Sequence, residues 1–260
     1  MTSLVLPAFN PGAQVELTFA AVRDFLRGRP DWEAIFVLDG CTDDTEDRLT
    51  NRLVDADDSR MRYVAYAPNR GKGYAVRTGL LAARGAYRIF TDVDLAYRFD
   101  DILRVADELH AGAAVAVASR EHPDSELQLP AHLLGYAYRR RLQSHVFGRF
   151  ARAILPLAHR DTQAGLKGMT ALVATTIVPE LVCDGFGFDC EFLTACRTYA
   201  VPVTEVPVRV RYDDAGSSTG GLRTMSRMLR ELWRVRRAWH GRTAIPLVAP
   251  AVAPPLRKAA

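Results

Sequence analysis

A chain of 260 residues that is 48% hydrophobic and 25% charged has the balance of a soluble globular protein, long enough to bury about 70–75% of the surface its unfolded form exposes. No apolar run reaches the roughly 18–20 residues needed to span a bilayer. The four cysteines (Cys41, Cys183, Cys190, Cys196) show neither CxxC spacing nor a histidine partner, which excludes a disulfide scaffold and a zinc ribbon. They read as reduced thiols of a cytoplasmic protein, and the opening MTSLVLPAFNPG lacks the basic region and cleavage site of a signal peptide. The net charge of +4 is unevenly spread: residues 1–119 hold 14 Lys+Arg against 18 Asp+Glu, and residues 120–260 hold 20 against 12. That order places a metal or nucleotide site ahead of a region that meets an anion.

Short apolar runs alternate with longer amphipathic segments, the pattern of βα units around a mostly parallel sheet with helices on both faces. Ser3–Pro7 reads as the first strand and Val15–Leu26 as a helix with Val15, Phe19, Val22, Phe25 and Leu26 on one face. Ala34–Leu38 is the second strand; Asp43 and Asp44 then open a helix to about Leu53. Met61–Ala65 and Tyr87–Thr91 are strands flanking a helix over Gly73–Ala83, followed by a helix over Asp100–His110 and a buried strand over Ala113–Ala118. Beyond Arg120 the pattern changes to a polar loop over Glu121–Pro130 and a long helical stretch over Leu133–Ala158 interrupted near Pro156. Later strands fall at Gly168–Val173 and Val203–Arg211, and the proline-bearing tail from Ile245 is extended or disordered.

Polar groups cluster where strands end: Asn10 after the first, Asp39 and Asp43 after the second, Asp92 and Asp94 after the fourth. Ligands of open parallel sheets bind at that edge. Asp92-Val93-Asp94 sets two carboxylates within reach of one hard divalent cation, Mg²⁺ or Mn²⁺, with positions left for a substrate's phosphates. Asn69-Arg70-Gly71-Lys72-Gly73 opens the third helix and offers backbone N–H groups and two cations to an anion; it serves equally as a plain helix cap.

These segments together resemble the inverting glycosyltransferases of family 2, which have the GT-A fold. LVLPAFN resembles the opening strand and nucleotide-contacting turn, and LDGCTDDT resembles the DGSTDGT segment. NRGKGYAVRTGLLAARGAYRIFTDVDLAYRF is similar to NxGKGxAxRxGxxxARGxxxxFxDADxxxxF, and ASR, RDTQAGLKGMT, DGFGFDCEFL and VPVTEVPVRV follow in the family's order. The likeness runs from Ser3 to about Arg237 and is nearest to the polyprenyl- and dolichyl-phosphate glucosyl- or mannosyltransferases. It implies one GT-A domain with a nucleotide-sugar half over residues 1–120 and an acceptor half over 121–221; residue spacing adds a basic amphipathic helix over 222–242 and a flexible tail over 243–260.

The resemblance also implies roles. Pro7, Ala8 and Asn10 contact the nucleotide, Asp39 accepts from its base or ribose, Lys72 lies by the diphosphate, and Asp92 and Asp94 hold the metal. Asn10-Pro11-Gly12 departs from the family's Asn-Glu-Glu, which leaves the donor open between UDP-glucose and GDP-mannose. Asp189 is a general base where the acceptor is a hydroxyl, and an orienting group where it is a phosphate, already anionic. Arg120, Arg140 and Ser144, with Arg209, are the anion contacts for polyprenyl phosphate. A small soluble hydroxyl acceptor, or a sugar nucleotidyltransferase on a similar sheet, are the alternatives. Leu222–Trp239 has an apolar stripe beside Arg223, Arg227, Arg230, Arg234 and Arg237, the form of a helix lying on the inner face of a membrane.

Overall fold

The computed structural model describes residues 1–128, 135, 147–211, 222–242 and 246–247. In chain order these form β1 (Thr2–Ala8), α1 (Gln14–Leu26), β2 (Trp32–Asp39), α2 (Thr45–Ala56), β3 (Met61–Tyr66), α3 (Lys72–Ala82), β4 (Tyr87–Phe90), α4 (Phe99–His110) and β5 (Val115–Ser119). There follow β6 (Glu126–Gln128), α5 (residues 147–154), β7 (Lys167–Thr170), α6 (Ala171–Ile177), α7 (Phe188–Thr198), β8 (Val203–Pro207), β9 (Arg209–Arg211) and α8 (Leu222–Trp239).

Seven strands make one sheet in the order β3-β2-β1-β4-β7-β5-β8, parallel except for β7, which runs antiparallel to both β4 and β5. The central strands are apolar without a break because both faces are covered. Alternate residues divide between two cores, as a period of two requires. Leu4, Leu6, Phe36 and Leu38 pack with Val15, Phe19 and Val22 of α1 and Ile102, Val105 and Leu109 of α4. Val5, Ile35 and Val37 pack on the other side with Ala75, Val76 and Leu80 of α3, a layer completed by α6, α7 and α8.

The strands and helices up to Ser119 lie where periodicity places them, to within a few residues. Three later expectations are corrected. The loop over 121–130 contains β6, which pairs in parallel with β9 as a separate two-stranded sheet. Ala171–Val173 are helical, because Thr170 ends β7 and its side chain accepts the N–H of Val173 as an N-cap. The described part of the α8 stripe turns mostly inward: Leu232, Val235 and Trp239 are buried in the core, while Trp233 is exposed. Of the long helix over 133–158, only residue 135 and 147–154 are described as helical. The start of the tail is docked, with the Leu247 N–H donating to the Tyr199 carbonyl. Cys183, Cys190 and Cys196 are buried free thiols; burial pushes those of Cys183 and Cys190 up to about 12, so they pack rather than react. No helix among the described residues is long and apolar enough to cross a membrane.

Candidate active site at the carboxyl edge of the sheet

β1, β2 and β4 end side by side, and the turns that leave them build the site. Pro7 and Ala8 close β1 as buried residues, after which Phe9 and Asn10 emerge into solvent. Asn10 sits at φ +49° and is fixed by a reciprocal pair with Thr42, its Nδ2 donating to Oγ1 and its Oδ1 accepting the Thr42 N–H. The Gly12 N–H donates to Asp43 Oδ2 and to Thr45 Oγ1. Asp43 therefore braces the first turn rather than standing open, and it also caps Thr45 at the head of α2.

Asp39, at the end of β2, is almost wholly buried, and both its oxygens are engaged. Oδ1 accepts the Arg70 N–H at 2.8 Å, while Oδ2 accepts the Gly71 N–H and the Asn69 side-chain amide, each at 2.9 Å. The N–H groups that the sequence offers to an external anion are thus turned on an internal carboxylate. That anchorage shapes the loop which begins α3. Gly71 adopts φ +105°, and a Cβ there would stand 2.6 Å from the Asp184 carbonyl, so only glycine lets the loop press on the segment before α7. Tyr74 N–H bonds that same carbonyl, and Arg77 pairs with the Asp184 carboxylate.

The loop delivers Lys72 to the end of β4, where its Nζ lies 2.6 Å from Asp92 Oδ1. Burial works against the Lys72 charge, but Asp92, Asp189 and Asp94 outweigh it and hold the ammonium above the usual lysine value. The turn carrying the acids is itself rigid. Asp92 carbonyl accepts the Leu95 N–H, Asp94 Oδ1 accepts the Ala96 N–H, and Val93 carbonyl accepts the Thr18 hydroxyl from α1. Gly165 gives Asp92 its room, since a Cβ there would lie 2.2 Å from Asp92 Oδ2.

Asp189 occupies the first turn of α7 and is buried against Lys167 of β7, Nζ to Oδ1 at 2.5 Å. Lys167 has no solvent exposure and also donates to the Ala164 carbonyl. The antiparallel entry of β7 between β4 and β5 is what brings this lysine beneath the carboxylate. Lys167 carries no distinguishing spacing, and the RDTQAGLKGMT segment that contains it was the one available signal. Glu191, two residues on in the same first turn, is fully buried and takes the N–H groups of Val182 and Cys183 and the indole N–H of Trp239. Glu231 of α8 takes the Gly187 N–H. The last helix is therefore bolted to the segment that leads into α7 and to the first turn that carries Asp189.

The acceptor-side cations are placed differently from one another. Arg120, at the end of β5, forms a two-pronged pair with Asp161 at 2.7 and 2.8 Å and donates its backbone N–H to the same carboxylate. Burial raises the Asp161 carboxyl, but these bonds prevail and hold it below the usual carboxylate range. Arg209 pairs with Glu126 across the small β6–β9 sheet. Arg140 and Ser144 lie outside the described residues. Tertiary structure thus brings Asp92, Asp94 and Asp189 near the Lys72 ammonium and pairs Arg120 and Arg209 with neighbouring acids. Among the described residues no group of three or more His, Cys, Asp and Glu could hold a metal ion. Asp92 and Asp94 are a pair of hard oxygen donors, the set that Mg²⁺ or Mn²⁺ accepts when a substrate's phosphates supply further ligands.

Comparison with known proteins agrees with this geometry. The chain is 29% identical over 245 residues to the dolichyl-phosphate beta-glucosyltransferase of Dictyostelium discoideum, covering 90% of this chain and 73% of that protein. It is 28% identical to the enzyme of the same name from Saccharomyces cerevisiae, covering 79% of this chain and 65% of the relative, so it spans about two thirds to three quarters of such relatives. The glucosyl-3-phosphoglycerate synthase of Mycobacterium tuberculosis, solved with Mn²⁺, uridine diphosphate and glucosyl-3-phosphoglycerate, superposes with a TM-score of 0.59 at 19% identity, over 90% of this chain and 78% of the other. That likeness establishes the GT-A fold. Residues 3–167 match the profile of glycosyl transferase family 2, and the chain belongs to that family of glycosyltransferases.

Proposed function

We propose that this protein transfers glucose from UDP-glucose to a polyprenyl phosphate, with inversion at the anomeric carbon. The observation that carries the reading is the charge cluster at the sheet edge, with Lys72 paired to Asp92 beside Asp94 and an Asp189 already held by Lys167. Similarity to dolichyl-phosphate beta-glucosyltransferases supports the glucosyl group and the lipid-phosphate acceptor.

A divalent cation on Asp92 and Asp94 would neutralise the diphosphate as charge builds on it. The residues do the rest. Lys72, the first residue of α3, offers its ammonium to the diphosphate from a fixed loop. Asp39 acts by shaping that loop, and Pro7, Ala8 and Asn10 line the turn facing the nucleotide. One oxygen of the acceptor phosphate attacks C1, the bond from C1 to the diphosphate oxygen breaks, and its electron pair leaves with UDP. The nucleophile arrives ionised, so no proton has to be removed. This agrees with an Asp189 whose Oδ1 is engaged by a buried ammonium: it orients the acceptor side of the site and is poorly placed to serve as a base.

Access to a lipid-borne acceptor falls to the outer face of α8. Arg227, Arg230, Arg234 and Arg237 are exposed along it, and Trp233 is 52% exposed beside Arg236. Such a face suits an anionic lipid surface.

The test is a panel of nucleotide sugars with Mg²⁺ or Mn²⁺, using a short-chain prenyl phosphate and the corresponding alcohol as acceptors. Glucose transfer from UDP-glucose to the phosphate alone is expected. Transfer to the alcohol, or a preference for GDP-mannose, would overturn the acceptor or the donor assignment respectively.

A further inference from the structure

The Arg120–Asp161 pair turns attention to the cavity beside it. A cavity of about 450 Å³ opens at the end of β5 and is lined by Glu121, Gly148, Arg152, Arg160, Thr162 and Gln163, with Asp161 in its wall. Asp161 is nearly buried and its charge is committed to Arg120, so it does not cancel the other cations. Among the described residues, two guanidinium groups line the space together with the carboxylate of Glu121. Arg152 spends one N–H on the Arg160 carbonyl at 2.9 Å, which leaves the rest of its fork available. The Arg160 guanidinium makes no hydrogen bond or ion pair with another described residue. At Gly148 a Cβ would come within 3.3 Å of Arg152 Nη1, so the glycine preserves room for that head group.

The cavity also has the right address. From Gln163 its wall continues to Gly165, which touches Asp92. Two residues of chain reach at most about 7 Å, so the Gln163 edge of the cavity lies close in space to the Asp92 carboxylate. A guanidinium fork binds phosphate oxygens in pairs, and two forks suit a phosphate monoester better than a neutral hydroxyl.

We propose that this cavity seats the phosphate monoester of the acceptor, with Arg152 and Arg160 as its cations. The inference rests on the phosphate-acceptor reading above and names the residues that would enforce it. The experiment compares Arg152→Gln, Arg160→Gln, the double variant and Arg160→Lys by initial rates with UDP-glucose and a water-soluble prenyl phosphate. The double variant is expected to raise KM for the prenyl phosphate about tenfold to a hundredfold, with KM for UDP-glucose held. Arg160→Lys should recover part of the loss, since the charge remains and the fork is gone. Inorganic phosphate should compete with the prenyl phosphate in the unmodified protein and more weakly in the double variant.

A parallel arm with 3-phosphoglycerate separates the sources of the phosphate. Turnover of the prenyl phosphate alone assigns the cavity to a lipid head group; turnover of phosphoglycerate with the same dependence on both arginines keeps the cavity as a phosphate seat but overturns the polyprenyl acceptor. If the unmodified protein glucosylates prenyl phosphate and the double variant keeps its KM, the cavity inference falls while the function stands. If neither phosphate is turned over but a hydroxyl acceptor is, both fall together.

Discussion

Asp39→Asn separates a carboxylate that shapes the site from one that touches the nucleotide. In the protein Asp39 satisfies three donors: Arg70 N–H on Oδ1, and Gly71 N–H with the Asn69 amide on Oδ2. Asparagine has one acceptor oxygen. Placed in its better orientation, that oxygen keeps the two donors on the Oδ2 side and turns an amide NH₂ on the Arg70 N–H. One backbone donor is stranded in a site only 2% exposed, and two charge-assisted bonds become neutral ones. A stranded buried donor costs about 1–3 kcal/mol, and the weaker remaining bonds bring the loss to about 2–3 kcal/mol. For a chain of this size that lowers the thermal midpoint by roughly 4–12 °C. The assay is circular dichroism melting with and without UDP, together with UDP binding by calorimetry. The midpoint should fall whether or not UDP is present, and UDP should bind more weakly because Lys72 is no longer held in place. A variant that melts with the unmodified protein but has lost UDP binding would refute this, and would return Asp39 to direct contact with the base or ribose.

Asp94→Asn should abolish turnover while leaving the ligand-free midpoint essentially unchanged, because Asp94 is in an exposed turn; full activity in this variant, or in excess EDTA, speaks against a metal at Asp92 and Asp94. Asp189→Asn strands the buried Lys167 ammonium, so it should lose about 3–5 kcal/mol of stability. Measured below its lowered midpoint, it should still lose less than the roughly 10²–10⁴-fold expected of a missing general base on prenyl phosphate, and a larger loss with both substrates still bound would restore the base role. Co-sedimentation with anionic vesicles should be strong at low salt, fade at high salt, and drop in an Arg230→Glu, Arg234→Glu, Trp233→Ser variant; absence of binding at low salt would remove the membrane role of α8. Surface substitutions are the right probe, because deleting α8 would also pull Leu232, Val235 and Trp239 out of the core.

What sequence determined here is local. Continuous apolar runs declare strands covered on both faces, and spacing of three and four declares the helices between them, so the order β1 to β5 is legible from Leu4, Phe36, Ile89 and their neighbours without coordinates. The acids at strand ends follow from the same pattern, since a parallel sheet collects all those ends on one edge. Three matters needed tertiary structure, and each depends on a partner distant in the chain. β7 is a four-residue strand whose antiparallel insertion depends on its neighbours β4 and β5, which set Lys167 under Asp189, 22 residues away. Charged groups read as free ligands in one dimension are committed in three: Asp39 to the loop at 69–71, Arg120 to Asp161, Arg209 to Glu126. An amphipathic stripe has one appearance whether it meets lipid or protein, and only the packing of Trp239 against the core, with its indole on Glu191, decides that Leu232, Val235 and Trp239 face inward while Arg227, Arg230, Arg234 and Arg237 face out. Periodicity reports that a face must be buried, while the identity of what buries it is a property of the whole chain.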